Sequence, residues 1–138
     1  MKSNPYLMFN GQCEAAFKFY EKCLGGKIAF KITNGESPMA KETPKERQNQ
    51  VLHARFEMGD SILMGSDCPP EQYEKPQGFS VSLNIEKPAD AERVFQALSE
   101  KAHIVMPIAE TFWAQRFGML TDQFGIPWMI NCEKKPNA

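Results

Sequence analysis

The order of hydrophobic periodicities repeats once along the chain, and this repetition restricts the fold more than any other feature. A short strand, a helix and three strands are indicated in each half, so the order is βαβββ followed by βαβββ. One helix covers only one face of a small sheet, so the other face must pack on the partner half or line a cavity. The sequence therefore predicts an α+β fold.

A proline-rich stretch separates the halves. Residues 67–78 contain almost no apolar side chains, which is typical of a linker. We therefore predict module 1 at 1–66, a linker at 67–78 and module 2 at 79–138, within a single domain spanning 1–138. The length of 138 residues fits one domain.

Local signals place the elements within each module. Apolar spacing predicts a helix over residues 12–24, and Pro88 is expected to open the second helix. Residues 34–49 are polar and contain two prolines, so we expect a long exposed loop that is either a lid or inert. Asp67 follows a strand and is expected to cap a turn.

Composition excludes several classes of function and partner. The 16 basic and 17 acidic residues nearly cancel, so we expect neither nucleic acid nor a membrane surface as partner. No secretion signal or membrane-length apolar run is recognisable, and the four cysteines form no C-x-x-C pair. These observations predict a cytoplasmic protein with reduced thiols.

Several stretches carry a family resemblance. They are PYLMFNGQCEAAFKFYEKCLGG at 5–26, VLHARFEMGDSILMGSD at 51–67 and TFWAQRFGMLTDQFGIPWMIN at 111–131. The chain thus resembles the vicinal oxygen chelate superfamily (glyoxalase/bleomycin resistance/dioxygenase), and within it the PhnB-like branch. The resemblance implies two βαβββ modules whose mixed sheets curl into cupped half-barrels, usually in a homodimer, with any metal held in the cup.

The resemblance also implies where a metal would be held. Metal-binding members use His, Glu or Gln side chains on the first and last strands of each module. Carried over by position, these points fall near Asn4 and Ser80, near Leu63 or Met64, and at Met129. None of these is a strong ligand for a hard divalent cation. We therefore expect no metal and no cofactor.

The cup that the resemblance implies would have a soft, aromatic lining. An apolar pocket with a few polar groups is typical of a small-molecule site. His53 is interpreted either as a cavity acid, base or hydrogen-bond donor, or as a satisfied structural histidine. The same aromatic side chains are equally compatible with core or dimer packing. The predicted ligand-binding residues are Tyr6, Met8, His53, Met64, Ser80, Ser82, Trp113, Phe117 and Trp128.

Two functional hypotheses follow, and whether the chain is an enzyme stays open between them. The first is metal-free binding of a small, partly apolar molecule in the cup. The alternative is a glyoxalase-like or dioxygenase-like enzyme, a lyase or transferase, with a displaced site involving His53. A purely structural or interaction role is a third possibility. Methyl transfer is disfavoured because no G-x-G motif occurs in the chain.

Overall fold

The computed structural model describes residues 1–135, which divide into two compact units. The first unit ends at Glu74 and the second begins at Lys75. The first contains β1 (Tyr6–Phe9), α1 (Cys13–Leu24), β2 (Lys27–Thr33), β3 (Val51–Met58) and β4 (Ser61–Asp67). The second contains β5 (Val81–Asn84), α2 (Pro88–Leu98), β6 (His103–Ala109), β7 (Ala114–Thr121) and β8 (Pro127–Glu133).

Each unit is built on an open four-stranded mixed sheet. The strand orders are β1-β4-β3-β2 and β5-β8-β7-β6, so both units have the same topology. The first strand of each unit pairs parallel with the last, and the remaining pairs are antiparallel. This arrangement confirms the predicted α+β class and the two βαβββ modules. β4 extends one residue into the predicted linker, to Asp67.

The two helices begin and end where backbone chemistry favours it. α1 ends before Gly25, which adopts the left-handed conformation and donates its N–H to the Glu21 carbonyl. α2 begins at Pro88, whose missing N–H is not needed in the first turn. No helix within residues 1–135 is both long and apolar enough to cross a membrane.

Each helix buries one apolar stripe against its own sheet. In the first unit, Phe17 packs its ring against Phe9 and Phe56, with ring centroids 6.0 Å away in both cases. In the second unit, Phe95 and Leu98 of α2 are buried with strand residues. Burying one such side chain stabilises the fold by about 1.5–3 kcal/mol. The fully buried strand residues include Leu7, Leu63, Leu120, Trp128 and Ile130.

A strand glycine lies beneath a helix phenylalanine in both units. A Cβ atom on Gly65 would lie 2.9 Å from the Phe17 ring and 2.9 Å from the Leu7 carbonyl oxygen. On Gly118 it would lie 2.6 Å from the Phe95 ring. Only the absence of a side chain allows helix and sheet to approach so closely.

The segment between β2 and β3 is an ordered loop made of three short 3-10 turns. Its ends are joined by backbone hydrogen bonds, from Asn34 N–H to the Gln50 carbonyl and from Gly35 N–H to that of Gln48. The Gln48 amide donates to the carbonyls of Ala40 and Thr43, at 2.8 Å each. The loop 34–50 is therefore closed by its own hydrogen bonds. Whether it acts as a lid stays a prediction.

The buried carboxylate of Asp67 connects three elements of the first unit. Its Oδ1 atom accepts the N–H of Cys13 at the start of α1, at 2.9 Å. Its Oδ2 atom accepts the N–H of Val51 at the start of β3, also at 2.9 Å. The expectation that Asp67 caps a local turn is therefore wrong, because its partners lie 54 and 16 residues away in the sequence.

Replacing Asp67 should destabilise the protein strongly. In Asp67→Ala, the buried N–H groups of Cys13 and Val51 lose their acceptors. Each buried donor left unpaired costs about 1–3 kcal/mol, so the free energy of unfolding should fall by about 2–6 kcal/mol. Urea unfolding monitored by circular dichroism measures this change. The control is Asp60→Ala, which removes an exposed aspartate in the β3–β4 turn. Equal midpoints for the two variants would contradict the assignment.

Candidate functional site

The face of the first sheet that α1 does not cover carries several large exposed side chains. Strand β1 alternates, so Leu7 and Phe9 are buried while Tyr6 is 42% and Met8 45% exposed. Met64 lies in register with Tyr6 on the neighbouring strand β4. On β2, Phe30 is 49% exposed. We define the His53 face as Tyr6, Met8, Phe30, His53 and Met64.

A histidine with two aromatic neighbours is the chemically distinctive part of this face. The Tyr6 hydroxyl lies 3.3 Å from Nδ1 of His53, within hydrogen-bond distance. The Tyr6 and His53 rings stack at an interplanar angle of 29°, with centroids 5.8 Å apart. The Phe30 ring lies 6.2 Å from the imidazole. The structure therefore brings together two predicted site residues, Tyr6 and His53, and adds Phe30.

Two charged side chains lie farther along β3. Arg55 follows His53 by two residues and therefore projects to the same side of the strand. Its Nε atom donates to Glu57 at 3.2 Å, and both side chains are partly solvent-exposed. Such an exposed pair contributes about 1 kcal/mol or less to stability. The opposite charges of Arg55 and Glu57 cancel. Apart from this pair, the side chains around His53 on this face are apolar or aromatic.

The corresponding face of the second sheet is more polar. Ser82 lies in register with Met129, and Asn84 with Asn131. The Asn131 amide nitrogen donates to Asn84 Oδ1 at 3.1 Å. Asn131 Oδ1 is a buried oxygen without a hydrogen-bond partner within residues 1–135. An unpaired buried acceptor of this kind is destabilising.

An aromatic cluster adjoins this second face. Phe117 lies in register with Asn131, and the Trp113 ring meets the Phe117 ring edge-on at 5.3 Å. Phe112 packs on Trp113 at 4.8 Å and is itself 88% exposed. Two predicted site residues, Trp113 and Phe117, are therefore in contact. Trp113 is 45% exposed and accessible to a ligand.

Trp128 does not belong to this exposed face. It lies in register with Val81 and Leu120, both buried, and its own exposure is 0%. Its indole N–H donates to Asp122 Oδ2 at 2.8 Å. Trp128 is thus a core residue, which corrects the prediction that it lines the cup. Ser80 directly precedes β5 and is half-buried.

A cavity of about 410 Å³ in the second unit lies at the ends of β5 and β8. Its lining includes none of the predicted ligand-binding residues. Its walls are mainly charged side chains, in contrast to the apolar lining expected of the cup. The lining residues are Asn84, Ile85, Glu86, Glu133, Lys134 and Lys135.

The residues present do not fit a divalent metal at the positions implied by the resemblance. The strand registers place Tyr6 beside Met64 and Ser82 beside Met129. The implied positions themselves, namely Asn4, Ser80, Leu63 or Met64, and Met129, carry no carboxylate or imidazole, and a methionine thioether is a soft donor. Within residues 1–135, no group of three or more His, Cys, Asp or Glu side chains could hold a metal ion.

The cysteines are poorly suited to nucleophilic chemistry. All four are free and buried. Burial, reinforced by the nearby Asp67 and Glu14 carboxylates, raises the pKa of the Cys13 thiol well above its ordinary range. The thiolate is the reactive form, so Cys13 is an inert packing residue.

The sequence matches a family model over residues 2–130, described as the Glyoxalase/Bleomycin resistance protein/Dioxygenase superfamily. The chain belongs to this superfamily. That membership confirms the family resemblance noted in the sequence, and the repeated βαβββ topology agrees with it.

Named relatives cover nearly the whole chain. Protein YjdN of Escherichia coli strain K12 is 34% identical over 143 residues, spanning 98% of this chain and 97% of its own length. The crystal structure of protein PA1353 from Pseudomonas aeruginosa matches with a TM-score of 0.89 at 43% identity, covering 98% and 99% of the two chains. A putative 3-demethylubiquinone-9 3-methyltransferase, PhnB protein, from Bacillus cereus shares the fold, with a TM-score of 0.79, 23% identity and coverage of 96% and 99%.

Sequence reasoning missed two residues at these faces. Phe30 lies in the apolar stretch KIAFKIT, but the sequence alone does not show that it lies opposite Arg55. That position depends on the pairing of β2 with β3. The hydrogen bond from Asn131 to Asn84 depends on the parallel pairing of β5 with β8. Both residues are placed by pairing between strands distant in the sequence.

Fluorescence quenching should distinguish the two tryptophans. Iodide reaches exposed indoles, so Trp113→Phe should remove most of the quenchable emission, whereas the emission of the buried Trp128 resists quenching. Steady-state quenching of the wild type and of both single Trp→Phe variants measures this. The assignment is wrong if Trp113→Phe is quenched as strongly as the wild type.

Proposed function

We propose that the protein binds a small, partly apolar molecule on the His53 face without using the metal site of the superfamily. The supporting observation is the exposure of Tyr6, Met8 and Phe30 around a half-buried histidine. Large apolar side chains exposed together typically mark a binding surface. A few polar groups within such a surface provide orientation, as in small-molecule sites generally.

Soft and planar contacts would supply most of the binding free energy. Met8 and Met64 offer polarisable thioethers, and Tyr6 and Phe30 offer ring surfaces. The Tyr6 and His53 rings stack on each other, and rings that are held by their own contacts lose less entropy when a ligand binds. These features favour a flat or amphipathic molecule.

Acid–base catalysis at His53 is the second candidate. The observation that favours it is the contact between the Tyr6 hydroxyl and His53 Nδ1, because such a partner orients an imidazole for proton transfer. Assays with catechol and with the hemithioacetal of methylglyoxal and glutathione test it. Turnover that His53→Phe abolishes would establish catalysis.

Self-association into a homodimer is part of the proposal. Its support is the exposure of Ile104, Val105 and Met106 on β6, which is an edge strand of the second sheet. Exposed apolar edges tend to pair with another chain. Light scattering coupled to gel filtration gives the mass directly, and a monomer at all concentrations would refute this part.

A matched pair of methionine variants tests the binding proposal. The neutral fluorescent probe N-phenyl-1-naphthylamine should bind the wild type saturably, and Met8→Ala should weaken binding roughly tenfold, since losing one apolar contact surface costs about 1.4 kcal/mol. Met39→Ala is the control, because Met39 is similarly exposed (52%, against 45% for Met8) but lies in the loop 34–50. Equal affinities for the two variants would count against the His53 face.

A further inference from the structure

The contact between Tyr6 and His53 determines which ring nitrogen carries the proton. A phenol hydroxyl is a better donor than a neutral imidazole N–H, and an imidazole nitrogen is a better acceptor than a phenol oxygen. Of the two possible directions, the one from Tyr6 O–H to His53 Nδ1 is therefore favoured. Nδ1 is then the acceptor, and the proton of the neutral ring lies on Nε2.

The Nε2 atom is free to meet a ligand. It has no hydrogen-bond partner within residues 1–135, where the imidazole makes ring contacts with Tyr6 and Phe30. It is also not among the unpaired side-chain atoms that are closed off from solvent in the same part of the chain. An accessible donor, on a ring fixed from two sides, therefore faces outward from an otherwise apolar surface.

From this geometry we infer that ligands of the His53 face carry an oxygen acceptor, a carbonyl or a carboxylate, attached to a flat apolar group. The oxygen would accept the N–H of His53 Nε2 while the apolar part contacts Met8, Met64 and Phe30. This inference rests on the proposed binding function and adds the chemical class of the ligand. A protonated imidazole also presents N–H at Nε2, so the requirement for an acceptor is the same in either charge state.

The charges near the face agree with either kind of acceptor. Arg55 is two residues from His53 along β3, and its partner Glu57 is four residues away. Because Arg55 is already paired with Glu57 at 3.2 Å, it gives a carboxylate no decisive advantage over a neutral carbonyl.

Four small probes of similar size separate these possibilities. They are acetophenone, which carries a carbonyl; benzoate, which carries a carboxylate; ethylbenzene, which has no acceptor; and benzylamine, which carries a donor cation. The chain has two histidines, His53 and His103, so the ring C–H signals in nuclear magnetic resonance titrations report His53 with an internal reference. We expect at least one acceptor probe to bind roughly three- to tenfold more tightly than ethylbenzene and benzylamine.

Variants assign that preference to the Nε2 proton, and because the variants at position 53 lack the imidazole signal, binding is read in all of them from the methyl signals of Met8 and Met64. His53→Phe keeps a ring but has no N–H, so the preference should fall to about one. His53→Gln should keep part of it, because its amide N–H can reach toward the position of Nε2. His103→Phe, on the exposed strand β6, should change nothing. Nitrogen-15 spectra of neutral His53 should show Nε2–H in the wild type and a tautomer mixture in Tyr6→Phe.

The outcomes distinguish this inference from the function on which it rests. If ethylbenzene binds as tightly as the acceptor probes, the binding function stands and the ligand class is wrong. A preference that survives in His53→Phe, or a wild-type ring protonated on Nδ1, also overturns the inference. If no probe shifts the His53 signals, the proposed binding at the His53 face fails as well.

Discussion

The geometry of the first unit depends on the single carboxylate of Asp67. By accepting N–H groups from the start of α1 and the start of β3, it fixes both elements to the end of β4. That position sets the register in which Met64 meets Tyr6 and Arg55. The proximity of Tyr6 to His53 therefore follows from a buried hydrogen-bond network that lies on the opposite side of the sheet from the exposed His53 face.

The second unit reaches the same topology with a different carboxylate. Asp122 Oδ1 accepts the N–H groups of Phe124 and Ile126, and its Oδ2 accepts the indole of Trp128. This network stabilises the β7–β8 turn rather than the start of a helix. The duplicated units thus share strand order, but their buried polar anchors and exposed faces have diverged. A histidine in contact with aromatic rings lies on the exposed face of the first, and serine and asparagine side chains lie on that of the second.

Signals between residues close together in the sequence predict the order of helices and strands. The make-up of the His53 face depends instead on which strands pair. The helix expected over 12–24 forms at Cys13–Leu24, and Pro88 opens α2 as expected, because caps and apolar spacing act within a few residues. The prediction for Trp128 is wrong because the alternation along β8, which puts Met129 on the opposite face, buries Trp128 in the core. Local signals do not predict the role of Asp67 or the place of Phe30, because the partners of both residues lie far away in the sequence.

The burial of all four cysteines gives the protein a practical property. Buried thiols react slowly with maleimides while the protein is folded, and the raised pKa of Cys13 slows its reaction further. A cysteine introduced on the solvent-facing side of the loop 34–50 would then be the preferred site of labelling. Spin labels or fluorophores could be attached there without first replacing the natural cysteines. Replacing Cys13 in particular would disturb the packing at the start of α1.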